Sequence, residues 1–115
     1  MTREPRRLSA ADHLLIECRR LEQAGHPAVA QENLIVAAWR ACPRVFGLDG
    51  YEKEYPDANA VVASICSRSG PVRKGYIVRP FPKFYQTTPA GQSRVLELLF
   101  EIEATKKSQA RRKAS

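Results

Sequence analysis

Between Ala58 and Leu96 the chain carries six basic residues, Arg68, Arg73, Lys74, Arg79, Lys83 and Arg94, and no acidic one. Cations gathered on one stretch without internal counter-charge create a local field that draws polyanions, phosphate backbones above all. Acid lies to either side. Residues 8–57 hold five basic and eight acidic residues, and residues 97–105 add Glu97, Glu101 and Glu103, so the span 8–105 is neutral. The formal net charge of +7 therefore belongs to the two ends. Arg3, Arg6 and Arg7 outweigh Glu4 at one end, and Lys106, Lys107, Arg111, Arg112 and Lys113 stand without an acid at the other.

Other chemistries are poorly supplied. Cys18, Cys42 and Cys66 are 24 residues apart each time, with no Cys-x-x-Cys pair, and His13 and His26 have no ligand partner at metal-binding spacing. Neither a disulfide framework nor a metal site is expected. Each cysteine shares a helix face with apolar residues and is expected to be a buried free thiol in a reducing compartment. The acidic run Asp49, Glu52, Glu54 and Asp57 lacks calcium-loop spacing, because Gly50 directly follows the first acid. Glu52 and Glu54 are expected in solvent, with Asp57 capping the next helix, and Trp39 in the core. There is no phosphate-binding Gly-rich loop, no G-x-S-x-G elbow and no H-E-x-x-H run. We expect no catalytic residues, no metal, no cofactor and no enzyme activity.

The elements that must position the cations follow from periodicity. Ser9 and Asp12 form a capping box for a helix over about 10–24, with Leu14, Leu15, Cys18 and Leu21 on one face and Gly25 and Pro27 at its end. A second helix runs from about Ala28 or Ala30 to Ala41, using Leu34, Ile35, Ala38, Trp39 and Cys42, and Pro43 stops it. Residues 43–56 read as a packed connection, because Val45, Phe46, Leu48, Tyr51 and Tyr55 would otherwise be exposed. Asp57 caps a third helix over 58–67 whose Val61, Val62, Ile65 and Cys66 share a face, although Val-Val-Ala-Ser-Ile also has strand character. Residues 76–79 and 83–87 are aromatic and β-branched, and they form a hairpin across Pro80-Phe-Pro82. Thr88-Pro89 then opens a last helix to about Thr105, with Val95, Leu98, Leu99 and Ile102 on one face.

Three helices, a hairpin and a closing helix resemble the winged helix-turn-helix fold, an α+β, mostly helical class. The sharpest cue is Tyr85-Gln-Thr-Thr-Pro-Ala-Gly91. It is similar to the Tyr-x-Leu-Thr-x-x-Gly closing motif of bacterial MarR- and PadR-type proteins, with Thr87 where Leu is usual. The resemblance covers about residues 10–102. It implies that the third helix is a recognition helix presenting Asn59, Ala60, Ala63, Ser64, Ser67 and Arg68, and that the hairpin is a wing. Arg73 and Lys74 would lead into that wing, with Arg79 and Lys83 flanking its tip. The acid-free stretch found by counting coincides with these positions.

With 115 residues, one domain is expected, over 9–105, between a basic extension at 1–8 and a disordered basic tail at 106–115. The expected function is binding of double-stranded DNA by a small transcription regulator, through Asn59, Ser64, Arg68, Arg73, Lys74, Arg79 and Lys83. A homodimer through Leu98, Leu99 and Ile102 is a further expectation. The alternative is a winged-helix adaptor that docks on another protein without touching DNA. The longest apolar run, Leu34 to Trp39, falls well short of the roughly 20 residues a membrane helix needs. No apolar stretch follows the basic amino terminus, so a cytoplasmic location is expected.

Overall fold

A computed structural model describes residues 8–114, with side chains for 8–107. The residues 1–7 of the expected basic extension, and the side chains of Arg111, Arg112 and Lys113, lie outside the described residues. The protein is α+β and mostly helical. Its elements are α1 (Ala10–Gln23), β1 (Val29–Ala30), α2 (Gln31–Ala41), α3 (Pro43–Phe46), β2 (Gly47–Leu48), β3 (Tyr51–Pro56), α4 (Ala58–Cys66), β4 (Ile77–Val78), β5 (Phe84–Thr87) and α5 (Pro89–Ala114). Among the described residues no helix is long and apolar enough to cross a membrane.

Local chemistry sets the helix starts. The Asp12 N–H donates to Ser9 Oγ at 3.1 Å and the Ser9 N–H to Asp12 Oδ2 at 3.3 Å, closing the capping box of α1. Asp57 caps α4 by accepting from the Ala60 N–H at 3.1 Å. Helix α2 has no side-chain cap; instead its Gln31 N–H donates to the Lys83 carbonyl at 2.9 Å, so a distant strand end satisfies it.

Two small antiparallel sheets form. The first has the order β1-β5-β4, with Val29 opposite Tyr85, Ala30 opposite Phe84, Ile77 opposite Thr87 and Val78 opposite Gln86. The second joins β2 to β3 through a tight turn at Asp49-Gly50. Helix α1 packs against α2, α5 and β5, and the core between them buries Leu14, Leu15, Cys18, Leu34, Val61, Ile65, Ile77, Tyr85 and Leu98.

Several expectations change. The connection over 43–56 is structured, as a short helix and a hairpin tied to α2 by the Trp39 Nε1–H donating to the Glu52 carbonyl at 2.7 Å. Only Phe46 of its five apolar residues is buried, while Val45, Leu48, Tyr51 and Tyr55 are exposed. Trp39 itself is half-buried against the core. Cys18 is buried, but Cys42 is half-buried and Cys66 exposed. Helix α5 continues past Thr105 to Ala114. Residues 92–114 contain neither Gly nor Pro and are rich in Ala, Leu, Glu, Gln, Lys and Arg, and basic residues suit a helix C-terminus.

The β5–α5 junction is built from the closing motif. Thr88 Oγ1 donates to the Gly75 carbonyl at 2.7 Å and accepts the Gly91 N–H at 3.0 Å, and the Thr88 N–H donates to the Tyr76 carbonyl at 2.9 Å. Helix α5 thereby starts directly on the backbone of Tyr76, so close that a Cβ on Gly91 would lie 2.1 Å from the Tyr76 oxygen. Gly91→Ala is expected to cost roughly 2–3 kcal/mol through backbone displacement. Gly75→Ala should cost only about 1 kcal/mol, because Gly75 has φ of 78° but open space around it. Urea midpoints read this order, and equal losses would contradict the seating of α5 on Tyr76.

Candidate nucleic-acid interface

Helix α4 exposes Asn59, Ala63 and Ser67, with Ala60 and Ser64 half-buried beside them, while Val61 and Ile65 turn into the core. The Ser67 hydroxyl donates to the Ser64 carbonyl at 3.1 Å, a local cap on the last turn. Past the helix the chain reverses sharply. The Gly70 N–H donates to Ser67 O, Lys74 N–H to Gly70 O and Tyr76 N–H to Pro71 O, at 3.0, 3.2 and 2.9 Å. Gly70 is required there, since its Cβ would lie 2.4 Å from the Ser64 oxygen. Arg68, Arg73 and Lys74 all stand exposed on this turn.

The reversal carries β4 back to the end of α4. Arg79 Nη1 sits 4.0 Å from Cys66 Sγ, so the first cation of the β4–β5 tip meets the last turn of α4, two residues from Arg68. The carbonyl end of the helix dipole favours cations at this place. At the other side of the tip, Lys83 has φ of 63°, a left-handed conformation a lysine adopts only when its surroundings hold it there. The hydrogen bond from Gln31 to its carbonyl supplies that hold.

Arg68, Arg73, Lys74, Arg79 and Lys83 are all exposed, and none has a carboxylate within 4.0 Å among the described residues. Arg94 differs. It lies on α5, half-buried, and pairs with Glu97 at 2.9 Å, so it leaves the set of free cations. The acids of α1 are likewise committed: Glu17 pairs with Arg20 at 2.9 Å and Glu22 with Arg19 at 3.3 Å. Burial pushes the Glu17 carboxyl above the ordinary carboxylate range, with Arg20 opposing. Burial also lowers the half-buried His13. Among the described residues no group of three or more His, Cys, Asp or Glu is gathered to hold a metal ion.

Three features at this site escaped the sequence. Phe81 and Phe84 are exposed beside the cations of the tip, and the pattern Arg-Pro-Phe-Pro-Lys was their available signal. Glu22 holds β5 from α1, accepting from the Thr87 N–H at 2.8 Å and from the Thr87 hydroxyl; nothing in the local pattern joins residues so far apart. Cys66 was assigned to the apolar face of α4, yet it lies at the rim where Arg79 meets the helix. Comparison with family models, with curated proteins and with solved structures finds no match.

The thiols report this geometry. Burial, with a smaller contribution from Glu22, pushes the Cys18 thiol up to about 12, so almost no thiolate exists there at pH 8. With Ellman's reagent, Cys66 should react first, Cys42 more slowly and Cys18 only on unfolding. A fast phase that survives Cys66→Ser would contradict the placement of Cys66 at the rim.

Proposed function

We propose that this is a winged helix-turn-helix DNA-binding protein, a transcription regulator that grips duplex phosphates through α4 and the β4–β5 hairpin. The sequence of α1, β1, α2, α4, β4 and β5, with sheet order β1-β5-β4, supports the fold. Residues 42–57, with α3 and the β2–β3 hairpin, stand in place of the short turn usual between the second helix and the recognition helix. A fold does not carry a function by itself. The observation that carries this reading is the set of five exposed, unpaired cations, Arg68, Arg73, Lys74, Arg79 and Lys83, around the end of α4 and the hairpin.

In this reading α4 lies in the major groove, whose width of about 12 Å admits a helix. Asn59 can pair with an adenine edge and Arg68 with a guanine edge, while Ala63, Ser64 and Ser67 are small enough to allow close approach. The free cations position the protein on phosphates and add little discrimination. Affinity for mixed-sequence duplex should therefore fall steeply with salt. Arg73, Lys74, Arg79 and Lys83 together should contribute about −3.6 to the log–log slope, at about −0.9 per phosphate contact. Fluorescence anisotropy of the full chain against its fourfold Ala variant measures that difference. An unchanged slope, or no binding at low salt, would overturn the reading.

Helix α5 supports pairing of two copies, with a change in the residues expected to do it. Leu98 is fully buried in the core, and Ile102 packs partly against it. Neither is free for a partner. The apolar residues left outside are Leu96, Leu99 and Phe100, with Leu96 70% and Phe100 76% exposed. Leu96 and Leu99 border a cleft between α1 and α5 of about 220 Å³, whose other walls are Ile16, Arg19, Arg20, Gln23, Gln92 and Val95. An exposed apolar row on α5 that includes a cleft wall, Leu96, suits a two-fold contact, since each copy supplies both row and cleft. Sedimentation should give a dimer that Leu96→Glu with Phe100→Glu converts to a folded monomer. A native protein that is monomeric at high concentration would remove this contact.

A further inference from the structure

Val78 to Phe84, the whole β4–β5 tip, is exposed without interruption. Five of these seven residues are Val, Phe or Pro, and the two that are not, Arg79 and Lys83, are free cations. Phe81 is 62% exposed, against 46% for Val78 and 38% for Phe84, with its ring edge-on to Phe84 at 6.2 Å between centroids. It is held stiffly. Pro80 and Pro82 fix the backbone on either side, the Phe84 N–H donates to the Phe81 carbonyl at 3.1 Å, and the Lys83 carbonyl is pinned by Gln31. A backbone already fixed in place loses little freedom when the side chain it carries is buried in a complex.

The charge around this ring says what would bury it. A second exposed aromatic pair, Tyr51 and Tyr55 on β3 at 6.1 Å, sits in a chain segment where Asp49, Glu52 and Glu54 outweigh Lys53, a net negative charge that repels a polyanion. The Phe81–Phe84 pair has no acid in its segment, and Phe81 has an exposed cation two residues to each side, Arg79 and Lys83. A ligand with phosphates for Arg79 and Lys83, and flat apolar faces between them for one ring, is a nucleic acid.

Building on the DNA-binding reading above, we infer that Phe81 is a wedge that enters the minor groove, partly unstacks one base step and bends the duplex. A two-proline turn led by Phe81, the more exposed of its two rings, suits a groove about 6 Å wide better than a helix does. Inserted apolar side chains of this kind kink DNA toward the major groove. The bend then depends on one exposed side chain outside the buried core, which makes it separable from folding.

Ligase-catalysed circularisation of duplex fragments of about 120 bp, shorter than one persistence length, tests this with the full chain. The wild type should accelerate ring closure at least tenfold at saturating protein. Phe81→Ala should abolish that acceleration while leaving the thermal midpoint unchanged and weakening duplex binding by about tenfold. Phe81→Leu, still an apolar wedge, should keep most of it. A wild type that binds duplex without accelerating closure, or a Phe81→Ala variant that closes rings as well as the wild type, overturns the wedge and leaves the DNA-binding reading standing. Phe81-dependent binding to single-stranded oligonucleotides without duplex bending also overturns it, in favour of base stacking on single strands. A wild type that binds no duplex overturns the DNA-binding reading and the wedge with it.

Discussion

Strand β5 lies between β1 and β4, and one carboxylate fixes its height against the helices. The Glu22 side chain is only 8% exposed, yet its oxygens accept from both the backbone and the hydroxyl of Thr87 and pair with Arg19. A carboxylate removed from water is tolerated only when its oxygens are satisfied, and removing one partner of such a set costs about 3–5 kcal/mol. This arrangement ties the last turn of α1 to the strand that ends where α5 begins. At the other end of the strand the Tyr85 hydroxyl, itself buried, donates to Gln31 Oε1 at 2.8 Å. Strand β5 is thereby fixed to α1 and α2 at once, and the position of the exposed tip beyond Phe84 follows from those two contacts.

The same carboxylate explains how this chain departs from the closing motif it resembles. A leucine at position 87 would fill the core but offer Glu22 no side-chain donor. Threonine keeps a methyl for packing and supplies the hydroxyl, and Gln92 Nε2 donates to that hydroxyl at 3.3 Å. Thr88 then closes the turn on Gly75 and Tyr76, and Gly91 lets α5 lie against backbone. The motif is therefore a set of steric and hydrogen-bonding requirements at one junction.

What could be read from sequence was what depends on near neighbours. The Ser9 box, the Asp57 cap and the Thr88-Pro89 start are contacts within a few residues, and each helix start expected from them is present. Strand β1 escaped because Val29-Ala30 is a strand only through pairing with residues 84 and 85. The start of α2 escaped for a related reason: the group that satisfies it is the carbonyl of Lys83. Burial along a single helix was the least legible. Leu98 and Leu99 are adjacent leucines in sequence, yet only the packing of α1 against α5 decides that one is core and the other surface. Charge was half legible. Counting located the cationic stretch, but not that Glu97 takes Arg94 out of it.

The division of charge has a consequence for any encounter with a polyanion. Over residues 8–105 the charges cancel, so at physiological ionic strength, where screening acts over about 8 Å, the body as a whole exerts little pull. Attraction is confined to surfaces where cations stand unpaired. The 49–54 segment, three acids against Lys53, belongs to the β2–β3 hairpin, which packs on α2 and α3, whereas Arg68, Arg73, Lys74, Arg79 and Lys83 border α4 and the β4–β5 hairpin, which packs on β1 and through β5 on α1. Two hairpins of opposite charge, each anchored to a different part of the helical core, give a neutral body a direction. On the reading proposed here, approach with the β2–β3 hairpin foremost is repelled and approach with α4 and the Phe81 tip foremost is favoured. Within residues 8–105, orientation is thus selected by where the charges lie before any base edge is touched.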